Sequence, residues 1–559
     1  MCSLQLDRAL GECTIRPQDC VAVPDLPVRS LMRLRSMTLG RISIRPFFWI
    51  AVLSSLVWAD ADLPSELNAA AEAVERGEYY AAEAGLLAIE KKLTAESVHS
   101  LTEGTILLKL AAIYSAQDRL TDLTAVLQRA IAIYEKFPGE HHNLSTALNN
   151  LGVVYERTGN TAQANRMYSR ALQVRETALG PDSPELAAVL SNLGNIERMQ
   201  GLHSAAERHL QRALALSQHL AKSERTRACI LSNLGLLYRS EERYADAAES
   251  YRQALALEEQ AGSSAEINLG VTLNNLGDLL KAQGKPLEAE PVLRRALSLH
   301  QQRFGAASVE VAWVLNNLGG VCLALGRTTE AQSLFERSIG ILEAKFGPEY
   351  LRLGPMLNNL GRLYLARGET KEAEALLTRA VRMVEKADGP NSLEVAGALT
   401  NLASLKATQK RYSEADALNE RSRRILEKDS DSTHPLMGAV LNNMGFVSFG
   451  RHEYATAEQQ FLKAIEIKRK TGPSLEASLA SVYRNLADVY VVEKRYEDAK
   501  RCYSEAIHIW DATSAALNPQ FAATLETYAQ LLRKLEDYAG AEQAETRALG
   551  IRVRSSLRN

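Results

Sequence analysis

Apolar residues in this chain recur at helical spacing, and the helical stripes themselves recur at a longer fixed interval. Near residue 150, Leu148, Leu151, Gly152 and Tyr155 fall at i, i+3, i+4 and i+7. Gly159 closes that stripe, and Ala164, Tyr168, Ala171 and Leu172 form a second one. The spacing predicts two helices joined by a turn. The small residue of the first stripe returns at Ala70, Ala111, Gly152, Gly194, Gly235, Gly277, Gly319, Gly361, Ala403, Gly445, Ala487 and Ala529, in steps of 41 or 42 residues. Twelve residues after it stands an alanine in every copy but the second, which has Leu123. A residue with no more than a methyl on an apolar helical face marks a place where another helix crosses closely. Each helix pair exposes an apolar face that it cannot bury alone, so the twelve copies must stack on one another. Gly-Pro segments such as Leu179-Gly180-Pro181-Asp182 and Phe346-Gly347-Pro348 stop one pair before the next begins.

The set Leu151, Gly152, Tyr155, Gly159, Ala164, Tyr168 and Ala171 resembles the signature of the tetratricopeptide repeat, and similar sets recur over about residues 65 to 555. The Leu-Asn-Asn-Leu-Gly opening and the Leu-Gly-Pro-Asp linker look most like the repeats of kinesin light chain and its bacterial relatives. The resemblance implies an all-α fold, a right-handed superhelical α-solenoid of about twelve repeats. Its first helices would line a concave groove that holds partner segments. The departures, Ile89 and Leu123 in the first two copies and Thr527 and Glu545 in the last, suit capping units of a solenoid. Copy nine has Lys410, Asn419 and Ser422 in place of the turn glycine, an apolar residue and an alanine, and a polar linker, Asp429-Ser430-Asp431-Ser432, follows it. That pattern fits either ordinary repeat drift or a local hinge.

Two residues before the small position stands an asparagine in nine successive copies: Asn150, Asn192, Asn233, Asn275, Asn317, Asn359, Asn401, Asn443 and Asn485. Asparagine is a poor helix former, so the amide needs a use. In family members with known ligands this place resembles the one whose asparagine contacts the backbone of a bound peptide. An amide offers a donor and an acceptor, which suits an extended main chain. The same amides could instead bond to the neighbouring copy and hold the stack together. Four residues after the small position, copies four to six carry Arg198, Arg239 and Lys281, whereas copies seven, eight and ten carry Leu323, Leu365 and Phe449. With Trp313 and Phe446 also expected on this surface, the groove reads as basic in its first half and apolar in its second. The alternative is solvated helix residues and ordinary packing between copies. A ligand fitting the first reading would present acidic residues to one half and a large apolar anchor to the other.

Composition adds limits. The chain has 559 residues, 46% of them hydrophobic, and a formal net charge of −2. It is too apolar for a disordered chain and lacks the basic excess that gives sequence-independent affinity for nucleic acid. Cys2, Cys13 and Cys20 sit at the start, and Cys229, Cys322 and Cys502 are scattered singly, so neither a disulfide framework nor a zinc site is expected. From Met37 the chain runs through Arg41 and Arg45 into an uncharged stretch, Phe47 to Ala59, ending Val57-Trp58-Ala59. That is the layout of a secretory signal peptide over 37–59, with residues 1–36 unstructured or not part of the true protein. The body, 60–559, would then be exported and mildly acidic, or else anchored in a membrane by residues 47–59.

No GxxxxGK, GxGxxG, HExxH or GxSxG occurs. His203 and His209 are too far apart to share a helical face as a metal pair would. Cys322 replaces a repeat aromatic and should be an inert core thiol; Cys229 has no evident partner. The expectation is a non-catalytic scaffold or adaptor without cofactor or metal. It would bind a protein or peptide partner, not nucleic acid or a small-molecule substrate, and would meet a membrane only through its N-terminal segment. A self-associating structural solenoid is the alternative.

Overall fold

The computed structural model describes residues 69–95 (except 71, 74, 75 and 77), 101–117, 119–220, 223–261, 266–429, 434–470, 476–512 and 519–556. The expected signal segment, 37–59, and residues 1–36 lie outside the described residues, as does most of the polar linker after copy nine. Among the described residues the chain is helical without a strand. The predicted pairs are present: Leu101–Ala116 with Leu120–Tyr134, His141–Arg157 with Thr161–Leu179, and so on to Pro519–Lys534 with Tyr538–Ser556. Before them, Tyr79–Ala95 forms the second helix of the first copy. The chain divides into two compact units, one ending at Asn268 and the other starting at Leu269. Within each unit, the helices of a copy pack on each other and the second helix packs on the first helix of the next copy.

The small position is explained by what faces it. An added Cβ would lie 2.6 Å from Tyr168 at Gly152, 2.5 Å from Tyr251 at Gly235 and 2.7 Å from Phe335 at Gly319. The large residue sixteen places on is buried against this notch: Tyr168, Tyr251, Phe335 and Phe461 are all at most 1% exposed. Seven residues past the small position the turn requires a left-handed backbone. Gly159, Gly326 and Gly368 supply it there, with φ of 75°, 77° and 79°, while Lys410 adopts it at 61° without a glycine's freedom.

Copy nine departs where its sequence does. Asn419 fills the place of the large apolar residue, is fully buried, and both polar atoms of its amide lack a hydrogen-bond partner. Ser422, also buried, bonds to the carbonyl of Ala396 and to Thr400 Oγ1. On another face of each unit, arginines bridge to the preceding copy: Arg243 to Glu207, Arg411 to Glu374 and Arg495 to Glu458. Arg421 likewise bonds to Glu385 and to the Pro390 carbonyl across the copy boundary. Cys322 is a buried free thiol whose pKa burial pushes up to about 12, which keeps it unreactive. Cys229 is buried, and Asn268 Nδ2 lies 3.4 Å from its Sγ.

Candidate functional site

The asparagine series lies on the first helices of successive copies, and its amides bridge them. Asn192 Nδ2 donates to Asn149 Oδ1 at 3.1 Å, and Asn233 Nδ2 to Ser191 Oγ at 3.2 Å. In the second unit Asn317 donates to Asn274, Asn359 to Asn316 and Asn401 to Asn358, each at 3.0 Å, and Asn485 to Asn442 at 2.9 Å. Asn443 reaches the backbone carbonyl of Thr400 at 2.9 Å. The acceptor is always the residue just before the preceding copy's ladder position. In a paired opening such as Asn358-Asn359, the first asparagine accepts from the following copy and the second donates to the preceding one. Asn150 has no such rung, because the copy before it presents Leu108 there.

The donor half of each bridging amide thus holds the stack. In the first unit Asn192 and Asn233 are also buried, at 1% and 0% exposure, and Asn275, early in the second unit, is buried too. Asn317, Asn359, Asn401 and Asn443 are only half-buried, and among the described residues nothing donates to their Oδ1. That oxygen can still accept a main-chain N–H.

The expected basic residues are engaged within the protein. Arg198 donates through Nε and Nη2 to Asn195 Oδ1, at 3.2 and 3.0 Å. Asn195 in turn donates to Glu156 Oε1 at 2.9 Å, and Tyr168 Oη donates to Glu156 Oε2 at 2.5 Å. Glu156 and Asn195 are 2% and 1% exposed, so this network is part of the interior. Arg239 is half-buried on Glu224–Ser240. Lys281 pairs with Asp278 on its own helix.

The apolar residues are placed differently. Phe446, on Pro435–Gly450, stands 38% exposed, and Val492, at the end of Glu476–Val492, 45% exposed. Phe449, one turn after Phe446, packs edge-on to Tyr454 and lines a cleft of about 200 Å³. Asp488, Val491, Val492, Tyr503, Thr527 and Lys534 are among its other walls. Tyr503 Oη donates to Asp488 Oδ1 at 2.5 Å, and burial raises the Asp488 pKa above the usual carboxylate value. Trp313 is half-buried, and its Nε1 is shielded from solvent without an acceptor. Sequence reasoning missed Asp488, Val491 and Val492. It also missed Arg362, which is exposed one residue after Gly361. The place one residue past the small position carries the signal, since Phe446, Asp488 and Arg362 all occupy it.

Among the described residues no group of three or more His, Cys, Asp or Glu could hold a metal ion, and no helix is long and apolar enough to cross a membrane.

Comparison with protein families finds the tetratricopeptide repeat at residues 102–177, 159–219, 226–302, 310–386, 390–470 and 478–552, and a second tetratricopeptide-repeat description at 274–344. Comparison with curated proteins finds no match. Among solved structures, BtubC (BKLC) from P. vanneervenii is 22% identical with a TM-score of 0.32, covering 44% of this chain and 94% of its own. The APC/C hetero-tetramer Cut9-Hcn1 is 15% identical with a TM-score of 0.47, covering 88% of this chain and 94% of its own. With the family signature matched from residue 102 to 552 and the repeat geometry described above, the chain belongs to the tetratricopeptide-repeat family.

Proposed function

We propose that this protein is a non-catalytic scaffold that holds an extended segment of a protein partner against the first helices of its second unit. The fold is one typical of protein–protein interaction scaffolds. The observation that carries the finer reading is the exposure of Phe446 and Val492 beside the cleft lined by Phe449 and Val491. Large apolar side chains left open next to a cleft with a polar rim are what a buried anchor residue from a partner uses. The unused Oδ1 atoms of Asn317, Asn359, Asn401 and Asn443 offer acceptors for the partner's main chain. The test is capture of binding proteins from native extract by the protein and by a Phe446→Ser, Val492→Ser double variant. Both are checked by circular dichroism. Loss of a captured protein with the helical signal intact supports the reading; equal capture moves binding to another surface.

A second reading, self-association, is favoured by the last helix, where Tyr538 and Leu549 are 63% exposed and Val553 48%. At the place of Leu549, interior copies bury Leu172, Ile339, Val381 and Ile465 to 8% exposure or less. Sedimentation equilibrium of the protein and of Leu549→Glu would show a concentration-dependent mass that the substitution abolishes. Residues 37–59 support export through a cleaved signal, and N-terminal sequencing of protein from the producing cell should then begin at Asp60.

A further inference from the structure

Within each unit the second helices of neighbouring copies are tied by one recurring ion pair. An arginine eighteen residues after the small position reaches back to an acid of the preceding copy, which stands twenty-four residues after its own small position. Arg212 meets Glu176 at 2.7 Å, Arg379 meets Glu343 at 3.0 Å and Arg421 meets Glu385 at 2.5 Å. Arg170 with Glu135 and Arg547 with Asp511 repeat the contact. The two places change together along the chain: Gln253 follows Gln218, and the charges reverse where Glu505 follows Arg469. Copies two to twelve all hold a polar residue at the first place, and copies one to eleven all hold one at the second. The exceptions are Ala88 in copy one and Val553 in copy twelve, the two places that no other copy of this chain faces.

An end left in water should keep polar residues there, as the caps of a solenoid do. Both ends are apolar instead. On Tyr79–Ala95, Ala81, Ala84 and Ala88 fall at i, i+3 and i+7 and are exposed, and Tyr80 beside them is 81% exposed. On the last helix Leu549 and Val553 are 63% and 48% exposed. Charge matches as well. Glu542, thirteen residues after the small position, is exposed and makes no hydrogen bond or ion pair among the described residues. Its equivalent in copy nine, Asp416, is met by Arg451, six residues after the small position of copy ten. In copy one that place is Arg76, which is exposed and meets Glu72 and Glu78.

We propose that the last copy of one chain takes the first copy of a second chain as its neighbour, so that chains join head to tail through the same kind of interface that joins copies within each unit. This rests on the self-association reading above and names the partner surface. The partner's Ala88 faces Val553, an apolar pair where inner copies have an ion pair, and the partner's Arg76 faces Glu542 as Arg451 faces Asp416. Burial of Leu549 and Val553 drives the contact. Because it joins two different surfaces, association does not stop at two chains.

The test is sedimentation equilibrium, over about a hundredfold range of concentration, of the protein isolated from the producing cell and of Ala88→Arg, Val553→Glu and the two combined. The mass of the parent should rise with concentration past twice that of the chain. Either single substitution sets a charge against an apolar side chain and should weaken association about tenfold or more. The combined variant recreates the pairing of Arg170 with Glu135 and should associate within about threefold of the parent, since an exposed ion pair adds little. Both places are exposed, so all three variants should keep the native helical signal. A mass that levels off at twice the chain, or a combined variant no better than the weaker single one, would overturn the head-to-tail assignment and leave self-association standing. A monomer at every concentration would overturn both.

Discussion

The first helices of the two units come from the same repeat, yet their surfaces differ in what is left over after folding. In the first unit Tyr168, Glu156, Asn195 and Arg198 form a chain of hydrogen bonds across two copies, and the ladder amides Asn192 and Asn233 are buried. In the second unit the ladder from copy seven to copy ten keeps its oxygens open, Arg362 has no counter-ion, and Phe446 and Val492 stand out from the surface. Charge counted along a sequence therefore misleads about where a partner can bind. The basic residues of copies four to six, Arg198, Arg239 and Lys281, are engaged within the protein, whereas the Arg362 guanidinium has no partner among the described residues.

The comparison breaks most severely at Asn195. Replacing it by leucine removes the Nδ2 that serves Glu156 and the Oδ1 that serves Arg198, leaving a buried carboxylate short of a donor. Asn195→Leu should destabilise the first unit by about 3 kcal/mol, read as a lower urea midpoint, with little change in ligand capture. A midpoint within experimental error of the parent would mean that the network is a surface decoration.

Copy nine offers the opposite change in the second unit. Asn419 is buried with both amide atoms unpartnered, and copy two shows that leucine fits opposite an alanine at the small position, as Leu127, 0% exposed, does with Ala111. Asn419→Leu should raise stability by about 2 kcal/mol, since it removes an unsatisfied polar group and adds apolar burial. Hydrogen exchange should slow in Tyr412–Asp429 and little elsewhere. Unchanged exchange there would show that copy nine is not the soft point of its unit.

The repeat itself was legible because its period, its glycine notch and its turn glycines are backbone requirements, and those leave the same residue at the same place. A close crossing at Gly152 and Gly319 was legible from spacing alone; that Tyr168 and Phe335 fill it came from the structure. The fate of polar side chains was not legible, because it depends on which residue of the next copy lies within 3 Å. Nine identical asparagines read as either a ligand surface or a stacking device. The bridging became visible only with the acceptors, an asparagine or serine side chain or, for Asn443, the Thr400 carbonyl, in the preceding copy. Arg198 and Arg362 stand at different places of the repeat, and only the geometry shows that Asn195 meets the first while, among the described residues, no partner meets the second.

The ladder can be tested in both units with one substitution type. Asn192→Ala removes a donor from a fully buried rung, and Asn359→Ala removes one from a half-buried rung whose acceptor, Asn316, is 7% exposed. The first should cost about 2 kcal/mol and the second about 1 kcal/mol, because water can partly replace the lost partner in the more open site. Equal costs would mean that the two ladders are structurally equivalent and that the openness of the second has no energetic meaning.

Asp488 carries the smallest effect, and its sign follows from burial. Its folded pKa is raised above the ordinary value, although the bond from Tyr503 opposes the shift. The folded state therefore binds the proton more tightly than the unfolded one. Above the raised folded value both states are ionised, and the charge costs the folded state stability. As pH falls through the raised folded value that cost disappears, and below the unfolded value no further gain remains. Asp488→Asn keeps an acceptor for Tyr503 without the charge, so it should be more stable at pH 7 by up to about 1 kcal/mol, a figure limited by the group's partial exposure. The advantage over the parent should shrink as pH is lowered from 7 towards 4, measured as the difference in urea midpoints. A constant difference across that range would show that the carboxylate is solvated as well folded as unfolded, and that the wall of the cleft beside Phe449 is wetter than its geometry suggests.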